Sequence, residues 1–454
     1  MPKAAPLAAS LLALTLLIGC EREIVPEPYQ PTSAHDAYRH SLSEAGLMQT
    51  ALGRDWMEAS EAALRSPIEV RAPFRETSYV DRSVAFATGY RFSVRRGQRT
   101  EVRVEIEPAA DWRLFLDLYR LPDERNQELV HVASGGEGDL RLVFEPRKDG
   151  DYLLRLQSEL LRGGSCTIEI QNVASLDFPV ADHDTSAIGS VFGDPREAGR
   201  RSHHGVDIFA PRHTEVLATS RARVRRVDLW KLGGRVIWLE DPERNLRLYF
   251  AHLQTQDVTE GTWVEAGERI GTVGNSGNAR TTPPHLHFGI YVRGEGPIDP
   301  APFLTQPRRG PESVVVDVTQ LGRWRRSRGD APLFGRPARG NDEPLLEMPP
   351  GTPLLIEAAT GSRYRVALPS GITGYVLERD TEDLSRPLET HTLENALVSR
   401  DRPVTDAASV RNLEAGTPVQ VLARFGSYAM IDGSPRGEWL PLSLENDTPL
   451  TTAP

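Results

Sequence analysis

The feature that most constrains this chain is a period-two alternation of apolar and polar residues. It recurs in short runs separated by glycine, proline and aspartate. Between about residues 66 and 175 the runs are "RTEVRVEIEP", "WRLFLDLYRL", "DLRLVFEP", "GDYLLRLQ" and "CTIEIQNV". Successive side chains of a strand point to opposite faces, so each run has one face to bury. Several such runs in about 110 residues predict two packed sheets, a β-sandwich. "GDYLLRLQS" followed by "CTIEIQ" resembles the end of a bacterial pre-peptidase C-terminal-type domain, over about three strands, and no functional residue follows from it. Cys166 lies in one run and reads as a small buried hydrophobe.

A different period precedes these strands. Leu42, Ala45, Met48 and Leu52, then Trp56, Ala59 and Ala63, recur at three and four residues. That predicts helix over 34–65, with Gly53 as the break between two short helices. Upstream, "MPKAAPLAASLLALTLLIGC" has Lys3 and then an apolar run, the n-region and h-region of a secretory signal (1–20). Its end, Leu17-Ile18-Gly19-Cys20, resembles the bacterial lipobox. That resemblance implies cleavage before Cys20, lipidation of its thiol and a membrane anchor. Glu21 in place of aspartate implies the periplasmic face of the outer membrane. The proline-rich, charged 21–33 reads as a tether. With Cys20 acylated, only Cys166 remains, so no intramolecular disulfide is expected.

The whole chain of 454 residues exceeds one core, and about three or four domains are expected. The fold class is therefore mostly β and multidomain, with short N-terminal helices. The net charge of -10 argues against nucleic acid as a partner, since phosphate binding needs a basic surface.

The C-terminal part repeats itself. Gly351-Thr352-Pro353 precedes Gly361-Ser362-Arg363-Tyr364, and Gly416-Thr417-Pro418 precedes Gly426-Ser427-Tyr428 at the same spacing. Each copy then reaches a turn and an aromatic strand, "GITGYVLE" or "PRGEWLPL". The unit resembles the bacterial SH3-like barrel, which implies two small barrels, 313–380 and 390–447. Tyr364 and Tyr428 can line a ligand groove or fill a core.

Chemistry concentrates between the sandwich and the repeats. Seven of the 11 histidines fall between His183 and His287. "RRSHHGVDIFAP" sets His203 four residues before Asp207, and Gly205 with the β-branched "VDIF" argues for an extended segment. Residues i and i+4 of a strand share a face, so both side chains can converge on one ion. "LRLYFAHLQ" ends an alternating strand at His252. "TTPPHLHFG" places His285 and His287 on one face, with Cβ atoms roughly 6.5–7 Å apart. That distance suits one ligand beside one neighbour better than two ligands on one ion. Three protein ligands and an open position make a catalytic zinc site, whereas four close it. No H-E-x-x-H helix is present.

"SVFG…RSHHGVDIFAP", "YFAHL" and "PPHLHFGIY", in that order, resemble the lysostaphin/LytM-type zinc endopeptidases, the M23 peptidase family. The resemblance covers Ser186 to Leu304, within a domain of 177–305, and implies an antiparallel sheet carrying the site in a groove. It implies Zn2+ held by His203, Asp207 and His287. It also implies His285 as the catalytic histidine, His252 as a second active-site histidine, and peptide cross-links of peptidoglycan as substrate. His204 is a bystander in that pattern. His213-Thr214-Glu215 and Thr282-Pro283-Pro284 depart from the family's usual Gly-Thr-Pro and Thr-Gly-Pro, beside the groove rather than at a ligand. The alternative expectation is a non-hydrolytic activator or scaffold for other cell-wall hydrolases, as in relatives that have lost zinc ligands.

Overall fold

The computed structural model describes residues 29–108, 112–124, 126–135, 140–196, 199–337, 342–434 and 437–442. The expected signal peptide, Cys20, most of the tether and residues 443–447 lie outside the described residues. Among the described residues no helix is long and apolar enough to cross a membrane.

The N-terminal helices are Ala34–Glu44 and Ala51–Arg65, joined by a 3-10 turn at Leu47–Gln49. The break falls at Gly46 (φ 70°), not at Gly53 as the sequence suggested. Gly53 instead stands in the first turn of the second helix, its N–H capped by Thr50 Oγ1 at 3.2 Å. A Cβ there would lie 2.2 Å from the Leu47 carbonyl, so the glycine serves close approach rather than chain reversal.

The alternating runs form two sheets packed face to face around Phe92, Val102, Leu118, Leu154, Ile168 and their neighbours. One sheet runs Ile68–Glu69, Ala87–Val94, Gly150–Ser158, Leu114–Arg120, Val130–Ser134. The strand Gly150–Ser158 is buried on both faces, because the helices cover its outer one. There Gln157 donates to the Trp56 carbonyl (2.8 Å), accepts from His35 Nε2 (2.8 Å), and Arg155 pairs with Asp117 (2.5 Å). Cys166 is buried in the opposite sheet, and burial pushes its thiol up to about 12.

That opposite sheet does not end with its own segment. Strand Phe74–Val80 pairs on one side with Gly164–Ala174 and on the other with Pro353–Thr360 of the first repeat copy, in the register Thr77↔Ala359. One nine-stranded sheet results. Glu76, fully buried at the seam, accepts from Tyr90 (2.9 Å), from Tyr375 (3.0 Å) and from the Arg365 guanidinium (3.3 Å). The two copies of the repeat match locally: Gly351 and Gly416 both have φ 81°, Gly361 and Gly426 both φ 52°. Tyr364 and Tyr428 are buried, so both fill core rather than line a groove.

The histidine-rich segment forms a long antiparallel sheet: Ile188–Ser190, Val206–Phe209, His285–Val292, Leu246–Leu253, Gly234–Asp241, Ala222–Trp230, Trp263–Val264. Its core face packs on Val216, Ile270 and Val273, from or beside a three-stranded sheet. Phe303 and Arg244 fix this unit to the preceding one. Phe303 sits against Gly97 and accepts from Leu176 N–H (3.0 Å), and Arg244 makes two bonds to Glu145 (2.8 and 2.9 Å).

Candidate metal centre

The strand period decides which side chains meet. Val206, Ile208, Leu286 and Phe288 are fully buried in the core. Asp207, His285 and His287, with the opposite parity, stand on the other face. Asp207 and His287 are register partners, which places their side chains side by side. Gly205 makes this possible. A Cβ there would lie 2.4 Å from the Phe288 carbonyl and 2.8 Å from the His287 ring.

His203 enters from the turn before the strand. Its Nδ1–H donates to the Val191 carbonyl at 2.8 Å, which leaves the lone pair on Nε2. That Nε2 lies 3.0 Å from Asp207 Oδ1 and 2.9 Å from His287 Nδ1, and His287 Nδ1 lies 2.9 Å from Asp207 Oδ1. Three donor atoms thus form a near-equilateral triangle. Ligands on a tetrahedral zinc at about 2.0–2.1 Å stand roughly 3.3 Å apart, so the triangle is slightly contracted but of the right shape. Two imidazole nitrogens and one carboxylate oxygen are the donor set of an open zinc site. Burial works against the Asp207 carboxylate, yet the adjacent His203 and His287 rings hold it well below the usual range. Burial lowers His287, with Asp207 opposing. A charged carboxylate and a neutral imidazole are the forms that bind a cation.

The other two expected residues stand beside the triangle rather than in it. The His285 ring lies 5.1 Å from that of His252, and His252 lies 6.0 Å from His287. Both donate Nδ1–H to a backbone carbonyl: His285 to Pro283 (2.9 Å), His252 to Ser276 (2.9 Å). Each therefore keeps Nε2 as an acceptor. His252 has φ 63°, a left-handed backbone that costs an L-residue about 1–2 kcal/mol. The strain is held by its N–H bond to the Gly233 carbonyl (2.8 Å) and by two close-packed loops. Gly234 would carry a Cβ 2.2 Å from Ser276 Oγ, and Gly277 one 2.3 Å from the Leu232 carbonyl. Burial, then the neighbouring His285 and His287, lower His252 to about 4.

His204 and His213 are exposed and lie outside the triangle, as does His183, whose Nδ1–H donates to the Ala181 carbonyl. Two groups escaped the sequence reading. The first is Arg196, whose guanidinium reaches Asp207 Oδ2 at 2.5 Å; nothing in its local sequence marks it. The second is an aromatic row on the site face: Tyr249 lies 5.8 Å from His287 and 4.5 Å from Trp238, which lies 5.1 Å from Tyr291. Alternation in "VIWLED", "LRLYFAH" and "FGIYV" held that signal. A cleft of about 810 Å³ between the sandwich and the first repeat contains none of these residues, so volume alone does not locate the chemistry.

Comparison with known proteins agrees with the geometry. Residues 201–300 match the model of Peptidase family M23. An L-Ala--D-Glu endopeptidase of Bacillus subtilis is 38% identical over 138 residues, 28% of this chain and 42% of that protein. A peptidoglycan DD-endopeptidase of Vibrio cholerae is 32% identical over 94 residues, 21% of each chain. The solved catalytic domain of lysostaphin from Staphylococcus simulans is 32% identical, with 26% of this chain and 90% of that one covered and a TM-score of 0.24. This chain spans less than half the length of the two curated relatives. The strands and turn bearing His203, Asp207 and His287 thus fall within the segment of this longer chain that matches Peptidase family M23.

Proposed function

We propose that this chain is a zinc-dependent endopeptidase that hydrolyses peptide cross-links of peptidoglycan. The observation that carries the reading is the convergence of His203 Nε2, Asp207 Oδ1 and His287 Nδ1 beside two histidines whose Nε2 atoms are free to accept. His203, Asp207 and His287 would hold a zinc ion, which would supply Lewis acidity for a scissile carbonyl and a nearby water.

The chain's own groups divide the proton work. His285 takes a proton from water at Nε2 and delivers it to the leaving amine. His252, lowered to about 4, is too weak a base for that task near neutrality. It orients the water through its Nε2 lone pair. The Pro283 and Ser276 carbonyls keep both rings in the accepting tautomer.

The remaining segments suit an enzyme held near a polymer. Cys20 carries the lipid anchor at the periplasmic face of the outer membrane, 21–33 is the tether, and the SH3-like repeats bind wall and raise local substrate concentration. That placement favours a D-Ala–diaminopimelate bond. The test is mass spectrometry of muropeptides released from purified peptidoglycan by the chain lacking residues 1–20, with and without a chelator. New peptide ends that vanish with chelator support hydrolysis. Loaded metal with intact cross-links sinks it in favour of an activator of other hydrolases.

A further inference from the structure

The carboxylate of Asp207 is used from both ends. Oδ1 faces His203 Nε2 and His287 Nδ1, while Oδ2 accepts from Arg196 Nη2 at 2.5 Å. The pair is only partly open to solvent, with the Asp207 side chain 10% exposed. Arg196 is itself anchored, since the same Nη2 donates to Ser190 Oγ (2.7 Å). Ser190 Oγ–H donates to Asp194 Oδ2 (2.7 Å), which also accepts from Val191 N–H (2.9 Å). The Val191 carbonyl in turn holds His203 Nδ1–H. One turn, residues 190–196, therefore reaches two of the three members of the triangle.

We propose that Arg196 is a positioning residue that restricts Asp207 to one ligating oxygen and so keeps a coordination position open. Carboxylates bind cations through one oxygen or through both. With Oδ2 free, a metal in the triangle would draw it in and fill the position that catalysis needs. The charge-assisted bond to Arg196 competes for that oxygen. The inference rests on the metallopeptidase reading above. Metal affinity is a poor measure of it, because removing a cation beside a divalent ion favours the ion while loosening its carboxylate. Coordination geometry is the direct measure.

The experiment loads the chain lacking residues 1–20 with cobalt(II) and records its visible absorption, which is intense for four-coordinate cobalt and weak for higher coordination. Arg196→Ala is expected to lose most of the intensity, and Arg196→Lys, which still offers one donor to Oδ2, to recover it. A spectrum of Arg196→Ala that superimposes on the parent overturns the inference and leaves the metallopeptidase reading standing. Failure of the parent to bind cobalt or zinc overturns both. Arg196→Met, with the stem but no donor, is judged by the same criterion where the alanine variant does not fold.

Discussion

Asp207 and His287 are directly opposed on neighbouring antiparallel strands, and Asp207 Oδ1 lies 2.9 Å from His287 Nδ1. The sheet register itself thus assembles two corners of the donor triangle, and His203 needs only a turn to supply the third. Substituting a corner removes a ligand without touching the core face. His287→Ala is expected to give up zinc to a chelator concentration that leaves the parent loaded, and to lose peptidoglycan hydrolysis. Metal analysis after dialysis checks the first outcome. Retained stoichiometric zinc would show that the triangle is not the site.

His285 stands outside the triangle, so its loss separates chemistry from metal binding. His285→Ala is expected to keep zinc and to lower the rate about 10²–10⁴-fold, the range for removing a general acid–base group. Metal content and turnover on the same sample test this. Loss of zinc together with activity would instead make His285 a ligand.

The left-handed backbone at His252 predicts an inverted order of stabilities. In an ordinary strand, glycine is worse than alanine by roughly 0.5–1 kcal/mol. At φ 63° the penalty falls on alanine, so His252→Gly should be more stable than His252→Ala, by about 1 kcal/mol. Urea denaturation of the two variants decides it. Alanine equal to or above glycine contradicts the strain.

His35 gives a pH dependence far from the triangle. Burial, with Arg155 adding to it, lowers its imidazole to about 4. The native state keeps it neutral while the unfolded chain protonates near 6.5, so unfolding takes up a proton between those values. Stability should therefore fall as pH drops from about 6.5 to 4, by about 3 kcal/mol for this residue. His35→Phe should flatten that part of the curve. Parallel curves for parent and variant, from denaturation at several pH values, would refute the assignment.

Glu76 tests the seam between the sandwich and the first repeat. Glu76→Gln leaves the buried Arg365 only the Glu357 carboxylate (2.8 Å) as a charged partner and should destabilise by about 1–3 kcal/mol. Glu76→Gln with Arg365→Met should recover part of the loss. A double variant no more stable than the single would place the value of the seam elsewhere.

How much of this was legible depended on distance along the chain. The parity that sends Asp207, His285 and His287 to one face is a local, period-two property, so the sequence carried it plainly. The end of the "LRLYFAHLQ" strand marked His252, and the family resemblance gave it a role. What stayed hidden was non-local or not periodic. Arg196 sits on a short strand, Pro195–Arg196, whose residues carry no alternation, and its partner is chosen by the turn that aims it. The pairing of Phe74–Val80 with Pro353–Thr360 leaves no mark either, since alternation gives each strand its faces but not its neighbours. The misplaced helix break has a related cause. Gly46 and Gly53 read alike as letters, and only the close approach to Leu47 distinguishes a packing glycine from a reversing one.

The seam also sets a timetable for the chain. Glu76 and Arg365 are 289 residues apart in sequence. While the chain emerges from synthesis, the edge of Phe74–Val80 has no partner on that side until the entire M23-matching segment and much of the first repeat have followed. An open edge is a template for pairing with other chains, and pairings this remote are slow to form. The sheet bearing the triangle pairs only strands that lie between Ile188 and Ile298, so it can finish early. The strand that precedes it must wait for one that comes after, so maturation of the N-terminal region is gated by arrival of the C-terminal one.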